Sequence, residues 1–599
     1  MFAFWRAFFL LINSGRNQFE ISEALLSFLH GARMDLSLTA YLMIPPLLHE
    51  ILSSYLKVPR LRPLAYGYHL LLIVLITFVC SGNVIIYHYW GGLINYRAVS
   101  YLTDPVELMN SLTPLTLIIF VFAFLLIISL KAFSLKRFVF KEKPAGSEST
   151  KVFKKVFLHL STSALLVLAM RGGWQMLPMN ESLVYFSKNN FLNQTAINPV
   201  WHLAYEFKNA GSKDKNPFQK FDDAFADRMT AYLLSDSAGT WPQVLEKKLP
   251  NIVMIMLESH SADVVSALGG EDISPNLDKL IANGFSFSEI YSSGSRTDQG
   301  IVSLINGWPA TPYHSIMKAT EKSNQLPSLL KLFADSGYVS SFYYGGESNF
   351  SNMNVYLLNQ GFDRTIDRRD FPSGTPSGRW GVYDEELFKR MSDDLDKEKR
   401  PFFSVLLTLS NHEPFDVPGP KRIEGKTEPD KFRNAAAYTD ACLGKFFLEA
   451  KNKEWFKNTL FIIAADHGHI LPKEHNEIWP ESKHIPMLFY GDPVREEFRG
   501  KNSSKLGGHH DLPATLLAQL GISAERFSWS KNLLSEGTKE FAYFQIESVM
   551  GWKQKGDFLV YLFTNETILV DQVKTENRDS MLVRSQAFLQ KLYGEYLAY

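Results

Sequence analysis

The chain has 599 residues, enough for several domains, and its 62 basic and 62 acidic side chains cancel. The balanced charge gives no sign of the basic face a nucleic-acid partner would want, and two cysteines, Cys80 and Cys442, cannot build a cysteine metal site. Hydrophobic residues make up 46% of the chain, but unevenly: residues 1–170 carry long apolar runs, and the rest reads as an ordinary globular sequence. Cys80 lies in an apolar run and Cys442 in the globular part, so no disulfide joins them.

Four apolar runs reach the ~20 residues a bilayer crossing needs. They are Leu36 to Leu56, Leu64 to His88, Leu112 to Leu130 and Val152 to Met170. The last opens with Lys154 and Lys155, which can snorkel to the interface. A fifth run, Phe2 to Ile12, is short and contains Arg6, and reads as a truncated first span or an interfacial helix. No small-residue cleavage site follows it, which argues against a removable signal peptide.

Loop charge orients these runs. Basic residues crowd around Lys57, Arg60 and Arg62, and again from Lys131 to Lys155. The intervening loop, Tyr89 to Asn110, has only Arg97, beside Asp104 and Glu107. The two basic loops are therefore expected in the cytoplasm and everything after Met170 outside. The chain divides into a membrane region at 1–170 with four to five helices, a helical juxtamembrane connector at 171–247, a catalytic domain at 248–540 and a β-rich segment at 541–599.

From Asn251 short apolar runs alternate with amphipathic helices. Ile252 to Leu257 is apolar throughout, as expected of a parallel strand buried on both faces. Tyr338 to Tyr344, Phe402 to Leu409, Leu460 to Ala465 and Ile485 to Tyr490 repeat the pattern. Ser274-Pro275-Asn276 reads as a helix start with Ser as the cap, and Asn283-Gly284 as its stop. The fold class is an α-helical transmembrane bundle followed by an α/β domain with helices on both faces of its sheet. The end of the chain adds strands around Gly551-Trp552 and Asn565, then a helix from Ser585.

Ligands of α/β sheets bind beyond the carboxyl ends of the strands. Here the first strand runs into Glu258-Ser259, the third into Ser410-Asn411-His412 and the fourth into Asp466-His467-Gly468. Arg296-Thr297-Asp298 precedes a helical stretch, Gly300 to Leu304, which places Thr297 near a helix N-terminus that favours phosphate. Glu258, Asp466 and His467 form a ligand set suited to Mn²⁺, Mg²⁺ or Zn²⁺, with the Thr297 hydroxyl completing it. Metal contact would make that hydroxyl a nucleophile, with His412 as the donor to a phosphoryl or leaving oxygen. Each signal alone has a plainer reading, as strand-end polarity, a turn or a helix cap. Their weight comes from falling on one edge of one sheet.

The segments Met256-Leu257-Glu258-Ser259, Ser274 to Leu280, Arg296-Thr297, Ser410 to Phe415 and Asp466-His467-Gly468 resemble the sulfatase-like transferases typified by lipoteichoic acid synthase. The resemblance implies an alkaline-phosphatase-like fold over about 250–525 and one divalent metal, often Mn²⁺, held by Glu258, Thr297, Asp466 and His467. It implies a threonine nucleophile taking a glycerol phosphate from phosphatidylglycerol to an acceptor hydroxyl on a glycan, lipid or polymer. Trp380, His412 and Arg296 fall at substrate-contacting positions. Arg296 stands where the synthases carry Lys, Tyr344 where they carry a histidine, and Val382 where a polar headgroup contact is expected. His509 and His510, before Asp511-Leu512-Pro513, read as support for the site or as a helix start with no role.

Competing readings are a phosphoethanolamine transferase, a sulfatase-like hydrolase and a catalytically dead membrane scaffold. The low cysteine count disfavours the first. Ser295-Arg296-Thr297-Asp298 lacks the Cys/Ser-x-Pro-x-Arg pattern of a true sulfatase.

Overall fold

The computed structural model describes residues 1–16, 19–55, 62–90, 93–94, 99, 114–140, 152–175, 178–187, 189–209, 216–246, 249–546, 548–563, 566–574 and 578–599. The chain divides into two compact units, Met1–Lys213 and Asp214–Tyr599.

The first unit is helical. Pro63–His88 and Val152–Arg171 are long and apolar enough to cross a membrane, by length and composition. The 21-residue helix Pro114–Ser134 covers the third expected run, whose first two residues lie outside the described ones. The expected single span Leu36 to Leu56 is instead broken at Met43. Ile21–Leu42 and Ile44–Tyr55 are separate helices bent by 40°, and pass the length test only as a pair. The cause is Pro45-Pro46: neither has an N–H to bond back into the preceding turn. The loop charges at Lys57, Arg60, Arg97, Asp104, Glu107, Lys141, Lys143 and Lys151 lie outside the described residues.

The short helix Phe2–Asn13 carries Arg6 inward, not to solvent. Its guanidinium donates to both carboxylate oxygens of Asp35, at 2.9 and 3.1 Å, and to the Thr195 and Ala196 carbonyls, at 2.9 and 3.1 Å. Asn198 donates to Asp35 at 2.8 Å. A Cβ at Gly31 would lie 2.3 Å from the guanidinium, so glycine there lets Arg6 through.

The second unit is built on strands β1 (Asn251–Leu257), β2 (Phe285–Phe287), β3 (Ile290–Tyr291), β4 (Val339–Tyr344), β5 (Arg364–Ile366), β6 (Phe402–Leu407), β7 (Thr459–Ala465), β8 (Met487–Tyr490), β9 (Lys501–Ser503), β10 (Gly507–Gly508), β11 (Ala542–Ile546), β12 (Val549–Gln554), β13 (Asp557–Leu562) and β14 (Thr567–Gln572). Eight of them form one sheet in the order β5-β4-β6-β1-β7-β8-β2-β9. From β5 to β7 it is parallel, and β1 at its centre is buried along Ile252–Leu257, which explains its unbroken apolar sequence.

The run expected at Ile485 to Tyr490 does join this sheet, but as β8, antiparallel to β7. The chain leaves β7 at Ala465 and returns at Met487 with no α-helix in between. A parallel return would need a crossover to the far edge, whereas an antiparallel one starts where β7 stopped. The segment just before β8 is thereby delivered to the edge that carries Asp466.

Ser274 does precede the helix Pro275–Asn283, but its hydroxyl makes no cap. It meets His260 at 3.0 Å instead, and the Asp440 carboxylate accepts from the Asn276 and Leu277 amides at 3.0 and 2.8 Å. β11 to β14 form the C-terminal antiparallel sheet. Its Tyr543 and Trp552, with Phe588 of the last helix, belong to the same buried cluster as the main sheet. That helix is Arg578–Ala598, beginning before the expected Ser585, and Asn565 lies outside the described residues.

Candidate active site

β1 and β7 are neighbours in register, with Leu257 opposite Ala465. The next residues of each strand, Glu258 and Asp466-His467, therefore emerge side by side. Ser259 turns the chain with φ 52°, a left-handed conformation unusual for serine. Its N–H donates to Asp466 Oδ1 at 2.9 Å and its hydroxyl to Glu258 Oε1 at 2.8 Å.

Thr297 is the first residue of the helix Thr297–Asn306. That helix lies directly on the strand end: a Cβ at Gly300 would sit 2.2 Å from the Asp466 carbonyl oxygen. The Thr297 hydroxyl donates to Glu258 Oε2 at 3.1 Å.

Glu258, Asp466 and His467 each offer a ligand atom, all within 4.8 Å of one another, and all three residues are buried. His467 Nδ1 lies 2.8 Å from the Gly468 carbonyl, which can only accept. The ring proton is therefore held on Nδ1, and Nε2 faces Glu258 and Asp466 at 3.6 and 3.7 Å. Asp466 Oδ1 accepts from the Ser259 and His467 amides, while Oδ2 is buried with no hydrogen-bond partner among the described residues. An orphaned carboxylate oxygen between a second carboxylate and an imidazole nitrogen is the donor set of a divalent cation.

The charges respond to this crowding. Burial raises the Asp466 carboxyl, and the neighbouring Glu258 charge adds to the rise. Burial also opposes ionisation of Glu258, but His467 and the Ser259 hydroxyl outweigh it and hold that carboxyl low. Burial lowers His467, yet the two carboxylates lift it to about 9. Without a cation, the imidazolium is what balances the pair.

A cavity of about 490 Å³ opens over this cluster and is lined by Glu258, Thr297, Arg296, His467, Trp380 and His412, among others. Asp466 is fully buried and not part of the lining. Trp380 and His412 pack at 4.3 Å between ring centroids, and both bond to the Glu413 carbonyl. The 409–412 loop is held by Asp384, whose Oδ1 accepts from the Leu409 and Ser410 amides at 2.8 and 3.1 Å. Asn411 then donates to the Glu258 and Ser259 carbonyls.

Tyr344 lines the cavity, and burial pushes its hydroxyl pKa upward. Val382 is buried, with its N–H on the Gly345 carbonyl at 2.9 Å, so that position presents an aliphatic side chain and no polar headgroup contact. His509 is buried with Nδ1 accepting from the Ser293 amide at 3.4 Å, and burial holds it neutral, opposed in part by the Asp466 backbone. His510 lies 3.7 Å from Asp511, which pairs with the buried Lys531. Three residues of this region escape a reading by motif: Asp384, Lys318, which pairs with Asp298 at 2.8 Å, and Lys483 in the cavity wall. Their neighbours are remote in sequence, or, for Lys483, set by the direction of β8.

Residues 250–522 match the sulfatase family model. The chain is 29% identical over 315 residues to lipoteichoic acid synthase of Staphylococcus saprophyticus, covering 49% of this chain and 47% of that protein. It is 21% identical over 547 residues to lipoteichoic acid synthase 2 of Bacillus subtilis, covering 86% and 81%. The chain spans about half the length of the first curated relatives it matches. A solved alkaline phosphatase superfamily protein from Vibrio parahaemolyticus is 27% identical, with a TM-score of 0.55 over 64% of this chain and 97% of that one. With the cluster at the ends of β1 and β7, these likenesses give residues 250–522 a sulfatase-type domain and make the chain similar to lipoteichoic acid synthases and to a protein of the alkaline phosphatase superfamily.

Proposed function

We propose that the protein is a membrane-bound, metal-dependent transferase that moves a phosphoglycerol-type headgroup from a phospholipid, phosphatidylglycerol, to an acceptor hydroxyl through a phosphothreonine intermediate. The observation that carries this reading is Thr297: a hydroxyl at a helix N-terminus, 3.1 Å from Glu258, beside three buried ligand groups within 4.8 Å of one another. Glu258, Asp466, His467 and the Thr297 hydroxyl would hold one divalent ion, Mn²⁺ by family resemblance. That ion, when bound, supplies Lewis acidity that lowers the hydroxyl pKa.

The chain's own residues account for the rest. Glu258 orients the Thr297 hydroxyl and accepts its hydrogen bond. The Thr297 hydroxyl gives up its proton to solvent, which returns it when Thr297 is released; its oxygen attacks phosphorus, and the bond from phosphorus to the diacylglycerol oxygen breaks. Diacylglycerol leaves with a proton donated by His412, whose Nδ1 is tied to Glu413 and whose Nε2 is left for the cavity. The acceptor hydroxyl then attacks the phosphothreonine, returns its proton to His412 and releases Thr297. The amides at the start of the Thr297–Asn306 helix favour the phosphoryl charge throughout.

On this reading the protein is a multi-pass membrane protein with the catalytic unit on the extracytoplasmic side; helices long and apolar enough to cross a bilayer support the membrane part of it. The test is diacylglycerol release from labelled phosphatidylglycerol by the full-length protein with Mn²⁺. Release by wild type and none by Thr297→Ala supports the reading, and equal release by both sinks it. Preference for phosphatidylethanolamine as donor would favour the phosphoethanolamine transferase instead.

A further inference from the structure

The paired residues of β1 and β6 end at Met256 and Leu407, yet the two chains stay bonded beyond that point. The Thr408 amide donates to the Met256 carbonyl at 3.0 Å, and the Thr408 hydroxyl accepts from the Glu258 amide at 2.9 Å. Asn411 donates from Nδ2 to the Glu258 and Ser259 carbonyls at 3.2 and 3.3 Å. Ser259 is in the left-handed region, which a serine does not adopt by its own preference. Thr408 and Asn411 are the clasp that keeps the turn there. The turn in turn aims the cluster, since the Ser259 amide and hydroxyl each hold one carboxylate oxygen, of Asp466 and Glu258 respectively.

The clasp sits on a loop, 408–412, that belongs to no helix or strand. What fixes the loop is Asp384, the buried first residue of the helix Asp384–Leu395. Its Oδ1 takes the Leu409 and Ser410 amides at 2.8 and 3.1 Å, and its own amide donates to the Ser410 hydroxyl at 3.1 Å. Its Oδ2 accepts from the hydroxyl of Thr439 at 2.7 Å, and Thr439 is buried in the long helix Glu428–Ala450.

An aspartate in the first turn of a helix ordinarily serves that helix's own amides or its dipole. Asp384 gives both oxygens to other segments instead. It does not line the cavity, so it is not placed to meet a substrate. A carboxylate buried among neutral donors is costly to keep, and a helix start alone does not call for one.

We infer that Asp384 is a positioning residue of the site: by clamping the 408–412 loop it holds Glu258, through Thr408 and Asn411, and His412, at the loop's end, in one fixed relation. The His412 half rests on the transferase reading above, whereas the hold on Glu258 bears on cation binding alone. The metal side and the proton-donor side of the site then shift together when the clamp is loosened.

Mn²⁺ affinity of the full-length protein in detergent, read from the electron paramagnetic resonance of free Mn²⁺, tests it. Asp384→Ala leaves two amides and a hydroxyl without their partner. It is expected to weaken Mn²⁺ binding by about tenfold or more, and to lower kcat at saturating Mn²⁺ by a similar factor with a smaller change in donor KM. Asp384→Asn should recover most of both, because its carbonyl can accept the two amides and its NH₂ can donate to Thr439. Leu443→Ala, buried in the same helix as Thr439, removes packing away from the loop. It should lower Tm and keep wild-type Mn²⁺ affinity.

A lowered Tm with wild-type Mn²⁺ affinity in Asp384→Ala overturns the inference, as does equal weakening in Leu443→Ala. Loss of kcat with unaltered Mn²⁺ affinity removes the hold on Glu258 and overturns it too. If Asp384→Ala fails to fold, hydrogen exchange of wild type decides. Mn²⁺ should slow exchange of the Leu409 and Ser410 amides, and slowing confined to the residues around Glu258 and Asp466 overturns the inference. Absence of diacylglycerol release by wild type would sink the transferase reading while leaving the Mn²⁺ titration to stand.

Discussion

Two buried clusters of opposite charge, one in each unit, are built to different ends. In the first unit Arg6 is met on every side: two bonds to Asp35, two to backbone carbonyls, and Asn198 completing the carboxylate. In the second unit Asp466 Oδ2 is buried with no hydrogen-bond partner among the described residues. A cluster that closes on itself holds architecture. One that leaves charge unanswered is completed by something it binds.

The comparison breaks most completely at Thr297. Thr297→Ala should lower headgroup release by at least ~10⁴-fold, about 5 kcal/mol of barrier, while Tm stays near wild type, because the site does not depend on that hydroxyl for its packing. Diacylglycerol release and a melting curve check both parts.

The closed cluster should behave in the opposite way. Arg6→Met leaves Asp35 half-buried with only Asn198 as partner, beside unsatisfied carbonyls, and should cost ~3 kcal/mol, the low end for a broken buried pair. Thermal unfolding of the full-length protein reads it. The double variant Arg6→Met/Asp35→Leu should lose less than Arg6→Met alone, because no uncompensated charge remains.

Removing the cation sharpens the contrast through pH. Asp466 is raised in the folded state, so its protonated form is favoured there and that stability is lost as pH rises through its folded pKa. His467 is raised to about 9, so its contribution is complete below the unfolded value of 6.5 and is lost as pH rises through 9. Both act in one direction. In EDTA the Tm should fall between pH 6 and pH 9, and with Mn²⁺ bound it should hold nearly level over that range.

The smallest effect is expected at the tilted ring contact between Trp380 and His412. Trp380→Ala removes the ring against His412 and should cost ~1 kcal/mol, a several-fold loss in kcat/KM measured by donor turnover.

Much of this was legible in the order of residues. Glu258 and Asp466-His467 follow apolar runs that could only be central strands, and Thr297 precedes a helix, so their meeting at one sheet edge followed from the rule for α/β sheets. The break at Met43 was also written in the chain, as Pro45-Pro46 inside an apolar run, but hydropathy does not register a missing N–H. Arg6 stood out as a charge in an apolar segment. Its partner, 29 residues away, did not.

The sequence by itself determined which side chains could do chemistry and which strands would carry them, because periodicity and strand-end polarity are local properties. Only the tertiary structure decided which of those charges are answered. The antiparallel return of β8 brings Lys483 to the edge where Asp466 lies, and the helix contact at Gly300 presses Thr297 toward Glu258. The physical reason is that strand direction and the pairing of buried charges are set by packing between distant segments, and no local pattern encodes them.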